Sequence, residues 1–153
     1  MGMVFLDISK AFDRVWHKGL LHKLSTFGVS GSLLKWFSSY LSDRSQRVVL
    51  SGSASEYLTT NAGVLQGSIL GPLLFLIYIN DIEKDIVSDV SLFADDCSLI
   101  NYLDRNLSEQ TLNGDLIKIK AWASQWFVNF NYDKTVFMHY SKKREKISLK
   151  LFF

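Results

Sequence analysis

Apolar residues along the chain fall into short runs whose spacing predicts a mixture of strands and helices. Residues 3–8 form an apolar run interrupted only by Asp7, which is typical of a strand buried on both faces that carries an acid near its end. Residues 20–27 and 33–41 carry apolar side chains at helical spacing, and Gly28 favours the end of the first helix. We interpret both helices as core packing.

The same pattern continues through the second half of the chain. It predicts, in order, a hairpin of residues 47–50 and 57–60, a buried helix from Leu70 to about Asn80, a tight hairpin at residues 91–100, a long helix from about Asn106 to Trp126, and strands at residues 128–131, 135–140 and 147–153. Pro72 sets the start of the buried helix, because proline lacks an N–H and is tolerated in the first turn. This order predicts an α+β fold in which helices pack on one face of an antiparallel sheet.

Composition excludes some classes of function but does not identify one. The 153 residues are 48% hydrophobic, which is enough for the core of one compact domain. The net charge is only +2, so any binding of nucleic acid must come from local patterning. Cys97 is the only cysteine, which excludes a disulfide framework. The longest apolar stretch, residues 69–79, is shorter than the ~20 residues that span a bilayer. Neither a membrane span nor a secretion signal is predicted.

The candidate chemistry centres on two adjacent acids, Asp95 and Asp96, which lie between two apolar runs. This pattern predicts a tight β-hairpin with both carboxylates at its tip. Two carboxylates that share a site repel one another unless a cation compensates their charge. An ordinary Asp-Asp turn is the alternative interpretation.

Asp7 supplies a third acid at the end of the first strand. An antiparallel sheet of the predicted order can place Asp7 and Asp95 on neighbouring strands. Three carboxylates at one end of a sheet favour two hard divalent cations, which prefer oxygen ligands and assist phosphoryl transfer. Phosphoryl or nucleotidyl transfer is therefore predicted, although a cyclase or a calcium site also uses three acids.

Four segments carry a resemblance to a known family. They are similar, in order, to the palm motifs of reverse transcriptases from non-LTR (LINE-type, jockey-like) retrotransposons: residues 5–17 (FLDISKAFDRVWH), 63–75 (GVLQGSILGPLLF), 93–96 (FADD) and 131–135 (NYDKT). The resemblance implies an RNA-directed DNA polymerase whose palm has a ferredoxin-like core.

Four catalytic residues follow from this resemblance. It implies that Asp7 and Asp95 are the principal ligands of Mg²⁺, with Mn²⁺ as the alternative cation, and that Asp96 is the third acid of the metal site. It also implies that Lys134 protonates the departing pyrophosphate.

Three further residues match positions that contact the incoming nucleotide. Phe12 matches a bulky gate that excludes the 2′-hydroxyl of a ribonucleotide, although it is equally well read as a core aromatic. Gln66 and Gly67 match a loop in which glycine permits close approach of the backbone and the amide forms hydrogen bonds. A cyclase has no need of such a gate, and a viral RNA-copying polymerase usually carries a polar residue in place of Phe12.

The resemblance also implies domain organisation and partners. Residues 1–153 are expected to form a partial reverse transcriptase domain, the palm, without counterparts of the fingers and thumb. The implied partners are an RNA template, a DNA primer and deoxynucleoside triphosphates, with no membrane and with a dependence on the missing regions. A nuclear location is expected for an active element, and the sequence otherwise leaves localisation unknown. The alternative hypothesis is a catalytically inactive remnant that binds metal or nucleic acid weakly.

Overall fold

The computed structural model describes residues 1–102 and 105–140, and the strand predicted at residues 147–153 lies outside them. Within these residues the strands are β1 (Gly2–Asp7), β2 (Arg44–Gln46), β3 (Val49–Leu50), β4 (Ser53–Ala54), β5 (Leu58–Thr60), β6 (Asp89–Phe93), β7 (Asp96–Asn101) and β8 (Val136–His139). The helices are α1 (His17–Thr26), α2 (Gly31–Leu41), α3 (Leu70–Ile79), α4 (Arg105–Gln125) and a short 3₁₀ turn, Tyr132–Lys134. The predicted α+β class is confirmed.

The chain divides into two compact units, described here one at a time. The sheet unit comprises Met1–Ala11 and Asn80–Phe153, and the helical unit comprises Phe12–Ile79.

The sheet unit is built on a four-stranded antiparallel sheet with the order β6-β7-β1-β8. Alternate residues of β1, among them Val4 and Leu6, are buried, and Phe5 between them is 36% exposed. Helix α4 covers the buried face, where a Cβ atom on Gly2 would meet Leu112 at 3.0 Å. The expectation that β1 is buried on both faces is therefore wrong, because an antiparallel sheet needs a cover on only one.

A buried carboxylate on α4 fixes the start of β6. Asp115 is 1% exposed and accepts the backbone N–H of Val87 at 3.1 Å and of Ser88 at 2.8 Å. The Lys118 ammonium lies 3.6 Å from the same carboxylate. These bonds satisfy the buried N–H of Ser88 and the part-buried N–H of Val87. They hold the acidic hairpin, which begins one residue later, against the long helix.

The helical unit packs α1 against α2 and α3. Leu20 and Leu24 of α1 are buried, as are Leu74 and Phe75 of α3. At the C-terminal end of α3 the buried Lys23 ammonium donates to the carbonyl of Tyr78, which satisfies a helix-end acceptor.

Burial in this unit is more one-sided than the apolar spacing predicted. Only Leu41 of α2 is buried, and Trp36 is 50% exposed, so the interpretation of α2 as core packing is wrong. Helix α3 runs over the predicted residues, yet Leu73 and Leu76 are about half exposed. Helix α3 carries apolar residues on all of its faces, whereas only one face is covered by packing within the unit.

The predicted hairpin of residues 47–50 and 57–60 is replaced by two short ladders, in which β2 pairs with β5 and β3 with β4. Ser51 and Gly52 have φ of +49° and +82°. Two successive positive φ angles make a tight hairpin turn, which pairs Leu50 directly with Ser53. The chain therefore turns back directly after Leu50, so β3 pairs with residues 53–54 instead of the predicted residues 57–60.

Among the described residues, no helix has both the length and the apolarity required to cross a membrane.

Candidate active site

The acidic hairpin forms where the sequence predicted it. Phe93 at the end of β6 pairs with Asp96 at the start of β7, which leaves Ala94 and Asp95 as a two-residue loop. Ala94 has φ of +53°, a conformation that tight hairpin loops require. Asp95 therefore lies in the loop, and Asp96 is the first residue of the returning strand.

Asp7 lies directly opposite this hairpin. β1 pairs with β7 in the register that joins Asp7 to Asp96 and Leu6 to Cys97. Directly paired residues of antiparallel strands project to the same face, so the two carboxylates share a face of the sheet. The loop carbonyl of Asp95 also accepts the N–H of Ile8 at 3.3 Å. The prediction that Asp7 and Asp95 lie on neighbouring strands is wrong, because Asp95 is a loop residue and Asp96 takes the position paired with Asp7.

Lys134 reaches the same place from the 3₁₀ turn. The N–H of Asn131 donates to the carbonyl of Asp7 at 2.8 Å, and the Asn131 side chain accepts the N–H of Asp133 at 3.2 Å. The Lys134 Nζ lies 3.3 Å from Oδ1 of Asp7. Residues 128–131 form only a single bridge between Phe130 and Ile8 instead of the predicted strand. The 3₁₀ turn that follows places the ammonium at the end of β1.

These side chains line an open pocket of about 450 Å³ on the exposed sheet face. Asp7, Asp96 and Lys134 are its charged residues, and Phe5 and Phe93 are among its apolar walls. The Asp7 side chain is 24% exposed, and Phe93 is 81% exposed. The pocket therefore combines charged side chains with apolar walls and is accessible from solvent.

Cys97 lies at the buried side of the pocket. Burial raises the pKa of its thiol to about 12, because desolvation disfavours the thiolate. The thiol is neutral at physiological pH, which makes it a packing residue rather than a nucleophile.

The donor chemistry at this end of the sheet fits a hard divalent cation. Asp7 and Asp96 present carboxylate oxygens on one face, and such oxygens are the ligands that Mg²⁺ prefers. Among the described residues, no group of three or more His, Cys, Asp and Glu side chains is drawn together as a metal site. The Lys134 ammonium is the positive charge beside Asp7.

The remaining predicted site residues lie in the helical unit. The Phe12 ring stacks on Phe75 with 5.1 Å between centroids and 21° between planes. Gln66 Nε2 donates to Asp13 Oδ1 at 3.2 Å, and Gly67 has φ of +82° in an exposed loop. The left-handed backbone at Gly67 explains the glycine of this motif.

Two residues of this region, Asp13 and Phe75, were not singled out from the sequence. Asp13 directly follows Phe12 inside a recognised motif, which is the only signal that the sequence offers for it. Its partner Gln66 is 53 positions away, so the contact becomes visible only in the fold.

Solved structures define the class of fold. The chain superposes on apo telomerase from Candida tropicalis with a TM-score of 0.66 and 16% identity, covering 94% of this chain and 31% of that one. Telomerase from Candida albicans, solved in complex with a fragment of telomeric RNA, gives a TM-score of 0.67 and 17% identity over 97% of this chain and 29% of that one. At these identities the likeness concerns the fold alone.

Sequence comparison gives the family. Residues 1–150 match the family described as reverse transcriptase (RNA-dependent DNA polymerase), and the chain belongs to this family. It is 33% identical over 85% of its length to the RNA-directed DNA polymerase from mobile element jockey of Drosophila melanogaster. It is 32% identical over 92% of its length to the probable RNA-directed DNA polymerase from transposon X-element of the same species. The homology to jockey-like non-LTR polymerases confirms the resemblance. The chain spans 15% of the jockey protein and 16% of the X-element protein.

Proposed function

We propose that this chain supplies the catalytic palm of an RNA-directed DNA polymerase. The observation that carries the proposal is the pairing of Asp7 with Asp96 beside the hairpin loop of Asp95, within an open charged pocket. The reaction is nucleotidyl transfer. A primer 3′-oxygen attacks the α-phosphorus of a deoxynucleoside triphosphate, a new P–O bond forms, and the bond to pyrophosphate breaks.

Three acids at one end of the sheet are the proposed ligands of Mg²⁺, or of Mn²⁺ in its place. Asp7, Asp95 and Asp96 would hold the cations. When bound, such cations stabilise the charge that develops on the attacking and leaving oxygens. Asp7 and Asp96 are fixed by strand pairing, so they need little reorganisation, whereas the loop residue Asp95 must bring its carboxylate to theirs.

Lys134 is the proposed acid for the leaving group. Its ammonium lies 3.3 Å from Asp7, and its side chain is 65% exposed and so has room to move. Transfer of its proton would neutralise charge on the departing pyrophosphate.

Phe12, Gln66 and Gly67 are the proposed nucleotide contacts. The Phe12 ring, held by its stack on Phe75, has the bulk to exclude a 2′-hydroxyl. Gly67 presents backbone without a Cβ, and Gln66 presents an amide.

An RNA template and a DNA primer are the proposed macromolecular partners. Support comes from the names of the relatives, which are RNA-directed DNA polymerases, and from the telomerase solved with an RNA fragment. The net charge of +2 provides little neutralisation of phosphates. We therefore propose that regions corresponding to fingers and thumb make most of the contacts to the nucleic acid.

A chimera tests this function. Residues 1–150 replace the homologous segment of the jockey polymerase, and primer extension on an RNA template is measured beside an Asp95→Asn chimera. Asp89→Asn, at the opposite end of β6, is the matched control. The proposal predicts extension that Asp95→Asn abolishes and Asp89→Asn preserves. A chimera that folds and binds primed template, yet extends no faster than its Asp95→Asn form, contradicts the proposal.

A further inference from the structure

One hydrogen bond in the helical unit determines which atom of Gln66 is available to a ligand. Gln66 Nε2 donates to the Asp13 carboxylate at 3.2 Å. An ionised carboxylate only accepts hydrogen bonds, so the amide must turn its NH₂ group toward Asp13. The carbonyl oxygen Oε1 of Gln66 is then directed away from Asp13. Without this partner the two ends of the amide would exchange at little cost.

The backbone around these two residues holds their segments together. The N–H of Val64 donates to the carbonyl of Phe12 at 2.8 Å, and the N–H of Gly63 donates to the carbonyl of Val15 at 2.9 Å. Gly63 has φ of +96°, and a Cβ there would lie 3.0 Å from the Asp13 carbonyl oxygen. Glycine therefore permits the backbone of the segment that leads to Gln66 to lie close against Asp13.

His17 makes a further contact between the segment that carries Asp13 and the segment that carries Gln66. His17 Nε2 lies 2.7 Å from the carbonyl oxygen of Gly63, in a partly buried contact. The stack of Phe12 on Phe75 fixes the residue immediately before Asp13. One framework thus orients both the ring of Phe12 and the amide of Gln66.

We propose that Asp13 is a positioning residue that orients the Gln66 amide, so that Oε1 accepts a hydrogen bond from the incoming nucleotide. The inference rests on the proposed nucleotide-binding role of Gln66. An acceptor at this point selects a donor on the ligand, and ionised phosphate oxygens do not donate. Amino groups of the bases differ among the four nucleotides. The donor common to all of them is a sugar hydroxyl, which is the chemical class that we assign to this contact.

The orientation is tested on the 153-residue chain by NMR of the Gln66 side-chain NH₂ group. In the wild type, nuclear Overhauser effects should join these protons to the Asp13 side chain. In Asp13→Asn the asparagine can present either its oxygen or its NH₂ group, so the Gln66 NH₂ group no longer has a fixed acceptor. Its NMR signals should therefore move to the chemical-shift range of exposed glutamines. Asp13→Glu keeps a carboxylate and should retain the wild-type signals.

The matched control is Asp43→Asn, the same change at an exposed position of the helical unit. It should leave the Gln66 signals unchanged, and backbone amide spectra establish that each variant is folded. Gln66 signals that are identical in wild type and Asp13→Asn, or an absence of Overhauser effects to Asp13 in the wild type, would overturn the proposal.

A nucleotide titration tests what the orientation is for. The loss of one hydrogen bond is worth roughly 0.5–1.5 kcal/mol, so the wild type should bind a deoxynucleoside triphosphate about 2–12-fold more tightly than its 2′,3′-dideoxy analogue. In Asp13→Asn this ratio should fall toward one, and an unchanged ratio overturns the sugar assignment. A chain that binds neither nucleotide contradicts the proposed function, while the NH₂ signals still decide whether Asp13 orients Gln66.

Discussion

Lys134 Nζ lies 3.3 Å from Asp7 Oδ1, although the two residues are 127 positions apart in sequence. The contact closes the 3₁₀ turn onto the end of β1 and places a cation beside a proposed metal ligand. We therefore propose that Lys134 yields to a metal ion at Asp7 and that its ammonium is then available to the leaving group.

Lys134→Met should raise the affinity of the chain for Mn²⁺. The exposed ion pair is worth about 0.2–1 kcal/mol, so its removal should strengthen metal binding by roughly 1.4–5-fold. Isothermal titration calorimetry measures the change, with Lys120→Met on α4 as the control for loss of an exposed positive charge. Weaker binding in Lys134→Met would mean that the lysine assists metal binding instead of competing with it.

Asp115→Ala should destabilise the sheet unit. The substitution leaves the N–H groups of Val87 and Ser88 without their buried acceptor. We expect the free energy of unfolding to fall by roughly 2–4 kcal/mol, measured by urea denaturation. Asp89→Ala, an exposed acid on the adjoining strand, should change it by less than about 0.5 kcal/mol. Equal effects of the two substitutions would show that the Asp115 bonds add nothing to stability.

Cys97 should make stability depend on pH in the alkaline range. Its pKa is raised from 9.0 to about 12 by burial, so the unfolded chain loses the thiol proton at a lower pH than the folded chain. The stabilisation is complete below pH 9 and is lost as the pH rises toward 12. Cys97→Ala should flatten this part of the curve of unfolding free energy against pH. At pH 8 the folded thiol should react slowly with iodoacetamide and the urea-unfolded thiol rapidly, and equal rates would show that the thiol is not protected.

The isolated 153-residue chain should extend primers poorly. Catalysis requires the reacting atoms to be held near 3–3.5 Å, and a misplacement of about 1 Å can cost a hundredfold in rate. With a net charge of +2 the chain has little hold on a nucleic acid at physiological salt. Extension on primed RNA should therefore be slight, and it should weaken further as salt is raised from low to physiological levels. Robust, Asp95-dependent extension at physiological salt would show that the chain grips its substrate unaided.

The sequence predicted elements best where local chemistry is decisive. Pro72 marked the start of α3, and the apolar runs around Asp95 and Asp96 marked the hairpin. The face that an element buries was less predictable: α2 has the apolar spacing of a core helix, yet Trp36 is half exposed. Burial depends on which surfaces meet, and one helical period does not contain that information.

The candidate site was likewise predicted only in part. The acids and Lys134 were identified from motifs, whereas the register that pairs Asp7 with Asp96 required the fold. Residues 128–131 have strand composition but form a single bridge, because Asn131 bonds both to Asp7 and to the following turn. Asp13 was not predicted because its hydrogen-bond partner, Gln66, lies 53 positions away in a loop that only the fold brings close.

The central claim is that the carboxylates at the end of β1 and the hairpin tip bind divalent cations. Paramagnetic broadening of backbone amide signals by substoichiometric Mn²⁺ tests it most directly on the chain itself. We predict broadening centred on residues 7 and 94–96, lost in Asp7→Asn and retained in the Asp89→Asn control. Broadening centred elsewhere, or unchanged in Asp7→Asn, would contradict the assignment of this site.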